Sequence, residues 1–232
     1  MTHPIVSRDE WLEARKAHLA DEKAFTKARD ALSARRRALP WVRIEKEYRF
    51  QTCEGEKTLG DLFGSSSQLI VQHFMFGPDW EAGCTSCSFW ADGFDGFIEH
   101  LAHRDAMLVA VSNAPLAKLD AYKERMGWSF PWVSSEGNDF NQDFAVTFKK
   151  DELESGNPVY NFGSSSFPVT EAPGISIFHK PDTDTVVHSY STYGRGLDMM
   201  NAAYHYMDLL PKGRDEGDGN MAWLRRRDEY MD

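Results

Sequence analysis

Gly83-Cys84-Thr85-Ser86-Cys87-Ser88-Phe89-Trp90 is the stretch on which the fold of this chain depends. The run before it, Gln68-Leu69-Ile70-Val71-Gln72-His73-Phe74-Met75-Phe76, is apolar, β-branched or aromatic at most positions, which predicts a buried strand. The run after it places Trp90, Phe94, Phe97 and Leu101 at steps of four, three and four, one face of a helix. A Cys-x-x-Cys pair at a strand-to-helix transition is the sequence form of a redox dithiol. Its first thiol, Cys84, falls where unpaired backbone N–H groups and the helix dipole favour a thiolate. Cys87, one turn further in, is expected to be more buried.

The same spacing also arises as half of a zinc site. Tetrahedral zinc takes four ligands, and Cys53 is the one further thiol. His73, His100 or His103 would have to complete the set, and nothing in their spacing requires it. No metal or cofactor is therefore expected. The 232 residues suffice for one substantial core with extensions at both ends. Hydrophobic residues at 41% and aromatics at 13% indicate a folded globular protein. The net charge of −10 argues against binding to nucleic acid or to an anionic membrane. No apolar run approaches the length of a bilayer span. The first twenty residues carry Asp9, Glu10 and Glu13 and no apolar segment, unlike a secretory leader, so a cytoplasmic location is expected. Three cysteines in that compartment are catalytic, sensing or incidental rather than a disulfide framework.

Outward from the dithiol, three regions are expected: a helical arm over 1–40, a main domain over 41–210 and an extension over 211–232 that packs on it. Ser7 and Glu10 form a capping box that opens a helix over 8–38, with a thin apolar stripe suited to packing on the main domain or on a second subunit. Arg35-Arg36-Arg37 reads as a solvated, dipole-favoured helix end. Val42 to Phe50 partly alternates and predicts one half-exposed strand, with Cys53 in the turn after it as a semi-buried small residue. Met107 to Ser112 is a core strand, and Pro115 opens a helix ended by Gly127. Strand, helix, strand, helix implies parallel strands joined by crossovers, with Phe130 to Ser134 a short edge strand. The irregular stretch 135–173 is rich in Gly, Pro and aromatics, which are expected to pack as a satellite core or to border a pocket. Gly174 to Lys180 and Thr185 to Ser191 flank Pro181-Asp182-Thr183-Asp184 as an antiparallel hairpin. A last helix is expected over 196–210, and Met221 to Leu224 is expected to dock as a short helix.

This order resembles a thioredoxin-like α/β fold in its peroxiredoxin-like elaboration: a central sheet with flanking helices, an N-terminal helical arm and a C-terminal extension. His73-Phe74-Met75-Phe76-Gly77-Pro78-Asp79-Trp80, Gly83 to Ser88, Tyr193-Gly194-Arg195-Gly196-Leu197-Asp198 and Asp208 to Glu216 resemble a bacterial family known as domain of unknown function 899. The resemblance covers nearly the whole chain. It implies Cys84 as the attacking thiol, Cys87 as the resolving thiol and Pro173 as the cis-proline that lies against the dithiol in thioredoxin-like proteins. The chain departs from the thioredoxin wording, with Gly83 before Cys84 and Thr85-Ser86 between the thiols, and 135–173 has no counterpart in a minimal thioredoxin.

These readings predict a thiol-disulfide oxidoreductase with a restricted substrate, either a disulfide-containing protein or a small thiol compound. The Cys84 thiolate attacks and Cys87 resolves the product. Thr85 and Ser86 act on the thiolate through hydroxyl and backbone donors, and Asp79, Trp80 and Ser88 are second-layer candidates. Asp92 is an ordinary helix acid or a proton relay. A peroxiredoxin-like peroxidase is the alternative enzyme: the segment from Trp80 to Cys84 lacks the threonine of such sites, and Arg195 would supply the positive charge. A copper-handling module using His179 or His188, and a partner-binding module with a vestigial dithiol, are the non-enzymatic alternatives. The long arm favours a homodimer.

Overall fold

The computed structural model describes residues 3–156, 158–217, 219 and 221–230, so part of the predicted 211–232 extension lies outside the described residues. The chain divides into two compact units, Met1–Pro40 and Trp41–Asp232. The first is one helix, α1 (Arg8–Arg37), opened by the capping box: the Ser7 hydroxyl accepts from the Glu10 N–H, and the Glu10 carboxylate accepts from the Ser7 N–H. Arg35, Arg36 and Arg37 fill its last turn, where the helix dipole favours cations.

The second unit is built on an eight-stranded sheet. Its strands in chain order are β1 (Val42–Arg43), β2 (Arg49–Thr52), β3 (Gly55–Thr58), β4 (Gln68–His73), β5 (Ala106–Ser112), β6 (Trp132–Ser134), β7 (Gly174–His179) and β8 (Val187–Tyr193). Across the sheet they run β1-β8-β7-β4-β5-β6-β2-β3. The pairs β4/β5 and β5/β6 are parallel, while β7 is antiparallel to both β4 and β8. A central strand leading to the dithiol, a parallel neighbour on one side and an antiparallel hairpin on the other make this a thioredoxin/peroxiredoxin-like sheet.

Alternation along β4 and β5 sends Leu69, Val71, Val109 and Val111 to one face and Ile70, Leu108 and Ala110 to the other, and each face has its own apolar core. On the first face Phe140, Phe144, Phe148 and Tyr160 fill the layer, so most aromatics of 135–173 are core residues, while Phe162 is 77% exposed. Two short helices, α5 (Phe140–Asp143) and α6 (Lys150–Glu154), lie within that stretch. The second face is covered by α2 (Thr85–Ala91), α3 (Ile98–Ala102) and α4 (Leu116–Met126), and α7 (Ala202–Met207) follows the hairpin. Gly127 ends α4 in the left-handed region at φ 63°, as the C-terminal glycine predicts.

Several expectations need correction. Val42 to Phe50 is two strands at distant positions: β1 pairs with β8 at one edge, and β2 pairs with β6 and β3 near the other. Only Cys53 and Glu54 make the turn, and Cys53 is exposed rather than semi-buried. The strand at Trp132 is internal, between β5 and β2, because β2 and β3 extend the sheet past it. The predicted helix through Trp90 and Leu101 breaks into α2, a 3₁₀ turn at Phe94–Gly96 and α3, with Gly93 and Gly96 at the interruption. The last helix likewise splits, into a 3₁₀ segment Gly194–Met200 and α7, whose N-cap Asn201 accepts from the Tyr204 N–H. The Ala172–Pro173 peptide bond is trans, not cis.

Candidate active site

Cys84, half-buried, is the N-cap residue of α2, and Cys87 is buried one turn in. The Cys84 backbone is fixed on both sides. The Cys84 N–H donates to the Met75 carbonyl at 3.0 Å, and its own carbonyl accepts from the Ser88 N–H at 3.0 Å and the Ser88 hydroxyl at 2.8 Å. Gly83 is required by close approach: a Cβ there would lie 2.8 Å from the Phe74 ring and 3.0 Å from that of Tyr122. The neighbouring carbonyl of Gly83 accepts from Arg226 Nη2 at 2.9 Å, and Arg226 Nε donates to the Tyr122 hydroxyl at 2.9 Å. Tyr122 in turn meets Ser88 Oγ at 2.9 Å. The C-terminal extension therefore braces the turn that carries Cys84, anchored by buried Leu224 and by ion pairs of Arg125 with Asp228 and Glu229.

The two thiols are driven apart in acidity. A hydrogen bond from the Cys87 thiol is the main influence that lowers Cys84 to about 6, against the opposing effect of burial, with help from the N–H groups of Cys87 and Ser86 and the Ser86 hydroxyl. Cys87 is pushed well above the usual thiol value by that same bond to Cys84, by burial and by the nearby negative charge, opposed by the Met75 N–H, which donates to its sulfur at 3.5 Å. The stabilisation of Cys84 is thus local, from its neighbour thiol and adjoining donors, more than from the dipole of a seven-residue helix.

Both sulfurs border a cavity of about 550 Å³. Its wall is mostly apolar, with Trp90, Phe167, Pro173, Leu197, Tyr204 and Met221 among its lining residues. Trp90 Nε1 donates to the Leu197 carbonyl at 2.9 Å, tying α2 to the segment after the hairpin. Tyr160 bridges the rim: its hydroxyl donates to the Pro173 carbonyl at 2.7 Å and accepts from the Gly194 N–H at 2.8 Å.

Of the residues singled out in the sequence, Cys84, Cys87, Ser86, Pro173 and Arg195 line this cavity. Arg195 is 75% exposed and pairs with Asp198 at 2.8 Å, so its charge is directed at that carboxylate. Ser88 is buried beneath the turn and supports backbone, while Thr85 is half-buried and outside the cavity lining. Asp79 is exposed and Trp80 is half-buried against Gly77, and neither reaches the cavity. Asp92 accepts from Trp128 Nε1 at 2.9 Å, a structural bond. His179 bonds the Ser67 carbonyl and His188 bonds Ser191, both outside the cavity lining, and among the described residues no group of three or more His, Cys, Asp or Glu is placed to hold a metal. Among the described residues no helix is long and apolar enough to cross a membrane.

The sequence reading missed Gln72, Glu171 and Arg226, and placed Tyr160 only among the aromatics expected to pack as a satellite core or to border a pocket. Gln72 carried a signal, as a polar residue inside an apolar strand. Glu171, directly before Ala172 and Pro173, is buried, and burial pushes its carboxyl up to about 7 despite hydrogen bonds from Thr147, Asn113 and Asn141.

The model of a family described as a bacterial protein of unknown function, DUF899, matches residues 1–230. The chain belongs to the DUF899 family. No curated protein matches the sequence. In shape, this DUF899 protein is similar to the peroxidoxin BcpB from Mycobacterium tuberculosis, with 14% identity and a TM-score of 0.47 over 68% of this chain and 90% of that one. It is similar to peroxiredoxin Q of Xanthomonas campestris, at 16% identity and a TM-score of 0.43 over 67% and 87% of the two chains. The mitochondrial 2-cys peroxiredoxin from Plasmodium falciparum matches at 12% identity and 0.42 over 71% and 91%. Identities this low say nothing of chemistry, and the fold assignment rests on strand order and connection.

Proposed function

We propose that this DUF899 protein is a two-cysteine thiol peroxidase acting on a small organic hydroperoxide. The observation that carries this reading is a Cys84 thiol lowered to about 6 at the wall of a mostly apolar cavity of about 550 Å³, a size suited to a small molecule rather than a polypeptide loop. At neutral pH Cys84 is a thiolate and attacks the terminal oxygen of the hydroperoxide. The O–O bond breaks, Cys84 becomes a sulfenic acid, and the alkoxide takes a proton and leaves as an alcohol. The Cys87 thiol then attacks the sulfenic sulfur, water departs, and a Cys84–Cys87 disulfide forms, to be reduced by an external dithiol.

A second reading, exchange with a small disulfide, is favoured by the Cys-x-x-Cys spacing and by the direct bond between the thiols. One experiment separates them. The reduced protein is offered cumene hydroperoxide or bis(2-hydroxyethyl) disulfide, with dithiothreitol as reductant. The peroxidase reading expects one alcohol released per Cys84–Cys87 disulfide, loss of turnover in Cys84→Ser, and a dimedone-reactive sulfenic acid in Cys87→Ser. Turnover of the disulfide alone overturns it in favour of exchange, and the absence of a reversible linkage with either substrate overturns both.

A further inference from the structure

We infer that Gln72 is a substrate-binding residue, whose side-chain amide accepts a hydrogen bond from the O–H of a small, apolar organic hydroperoxide and holds that group beside Cys84. This deepens the peroxidase reading and rests on it. Among the described residues, the buried side-chain atoms without a hydrogen-bond partner are Arg15 Nη1, Gln72 Oε1, His73 Nδ1, Asn141 Oδ1 and Asn201 Nδ2. Of these residues Gln72 alone lines the cavity that contains Cys84 and Cys87.

Gln72 is 1% exposed and lies on the central strand β4, between Ala110 of β5 and Ile175 of β7. Neither neighbour offers its side chain a polar partner. A leucine or methionine would fill the same place with no amide to leave unsatisfied, so the sheet itself gains nothing from the polar group. The torsion that turns the terminal amide is soft, so the oxygen can turn towards the cavity that the residue lines. Most of the remaining wall is apolar, with Trp90, Phe167, Leu197 and Met221, beside the polar Ser86, Arg195, Asp198 and Tyr204. A ligand that satisfies both features has an apolar body and one strong donor. A hydroperoxide has this form, and the alcohol it becomes keeps the donor after the O–O bond breaks.

The test uses the reduced full chain and two probes that differ only by the donor: 2-phenyl-2-propanol, the alcohol formed from cumene hydroperoxide, and isopropylbenzene. Calorimetry on the unmodified protein is expected to show the alcohol bound about five- to tenfold more tightly, the equivalent of one hydrogen bond. Equal affinities overturn the assignment, and this comparison needs no variant. In Gln72→Met the preference is expected to vanish and kcat/KM for cumene hydroperoxide to fall by a similar factor. The rate at which N-ethylmaleimide, which has no donor, modifies Cys84 should be unchanged, and Tm should hold or rise. A preserved alcohol preference, or a fall in Tm with an equal loss toward both reagents, would mark Gln72 as merely structural. An intact alcohol preference without hydroperoxide turnover overturns the peroxidase reading and supports Gln72 as the polar contact of the cavity; turnover without that preference does the reverse.

Discussion

Gln72 and His73 are neighbours on one strand, and the alternation of β4 sends them to opposite faces of the same sheet. Both are buried polar residues, yet their surroundings differ in kind. The His73 ring packs against Phe140 and Phe144, and its Nε2 meets Ser176 Oγ at 2.8 Å. Ser176 continues to Ser191, and Ser191 to His188, each at 2.8 Å. Burial, with a smaller contribution from His188, pushes His73 down to about 3, so its ring is neutral at pH 7. What the Gln72 face has in addition is a cavity, lined by Gln72 and by Cys84, whose thiol is lowered to about 6. Both faces carry an apolar core, and the Gln72 face also leaves room for a cavity beside the two cysteines.

The contrast is most easily broken on the His73 face. Phe140, fully buried among Tyr48, Phe50, His73, Phe144 and Phe178, is expected to cost about 3–5 kcal/mol when changed to alanine. Urea unfolding measures that loss, and iodoacetamide trapping of the folded protein should find Cys84 as reactive as before. A matching drop in Cys84 reactivity would show that the two faces are not independent.

Glu171 tests how far a buried acid tilts the balance. Its folded value, about 7, lies above the ordinary carboxyl value, so the native state binds the proton more tightly than the unfolded chain. Stability therefore falls as pH rises from about 4.3 to about 7 and stays reduced above that. Glu171→Gln is expected to gain on the order of 3 kcal/mol above pH 7 and nothing below pH 4. Melts of both proteins across this range check it, and parallel curves would refute it.

Gly83→Ala places a methyl group between Phe74 and Tyr122 on the Gln72 face, with an expected cost of about 1–3 kcal/mol. Unlike Phe140→Ala, it should also slow Cys84 trapping, because the same turn presents the thiolate. The smallest effect on stability is expected from Cys87→Ala, whose signature is in acidity. The pH midpoint of Cys84 alkylation should move up from about 6 towards the ordinary thiol value of about 8.5, since the bond from Cys87 is the main cause of the depression. An unmoved midpoint would assign the depression to the backbone donors instead.

Much of this was legible in the chain. The strands at Gln68–His73 and Ala106–Ser112, the hairpin of Gly174–His179 with Val187–Tyr193, and the helix closed by Gly127 follow from apolar period, turn residues and caps, which act over a few residues. The dithiol at the start of α2 was legible for the same reason. The 42–50 stretch misled because its partial alternation is compatible with one strand, while its two halves pair with strands far apart in the chain. The Phe94 to Leu101 stripe misled because two glycines outweighed its period.

The sequence by itself determined the central strands and the position of the two thiols, because each depends on local spacing. Only the tertiary structure decided which residues surround them. Arg226 reaches Gly83 across 143 positions of chain, Tyr160 joins Pro173 to Gly194, and Gln72 acquires its meaning only from the empty space beside it. Such contacts are made by chain closure and by volume left unfilled between elements, and neither leaves a period or a spacing in the sequence.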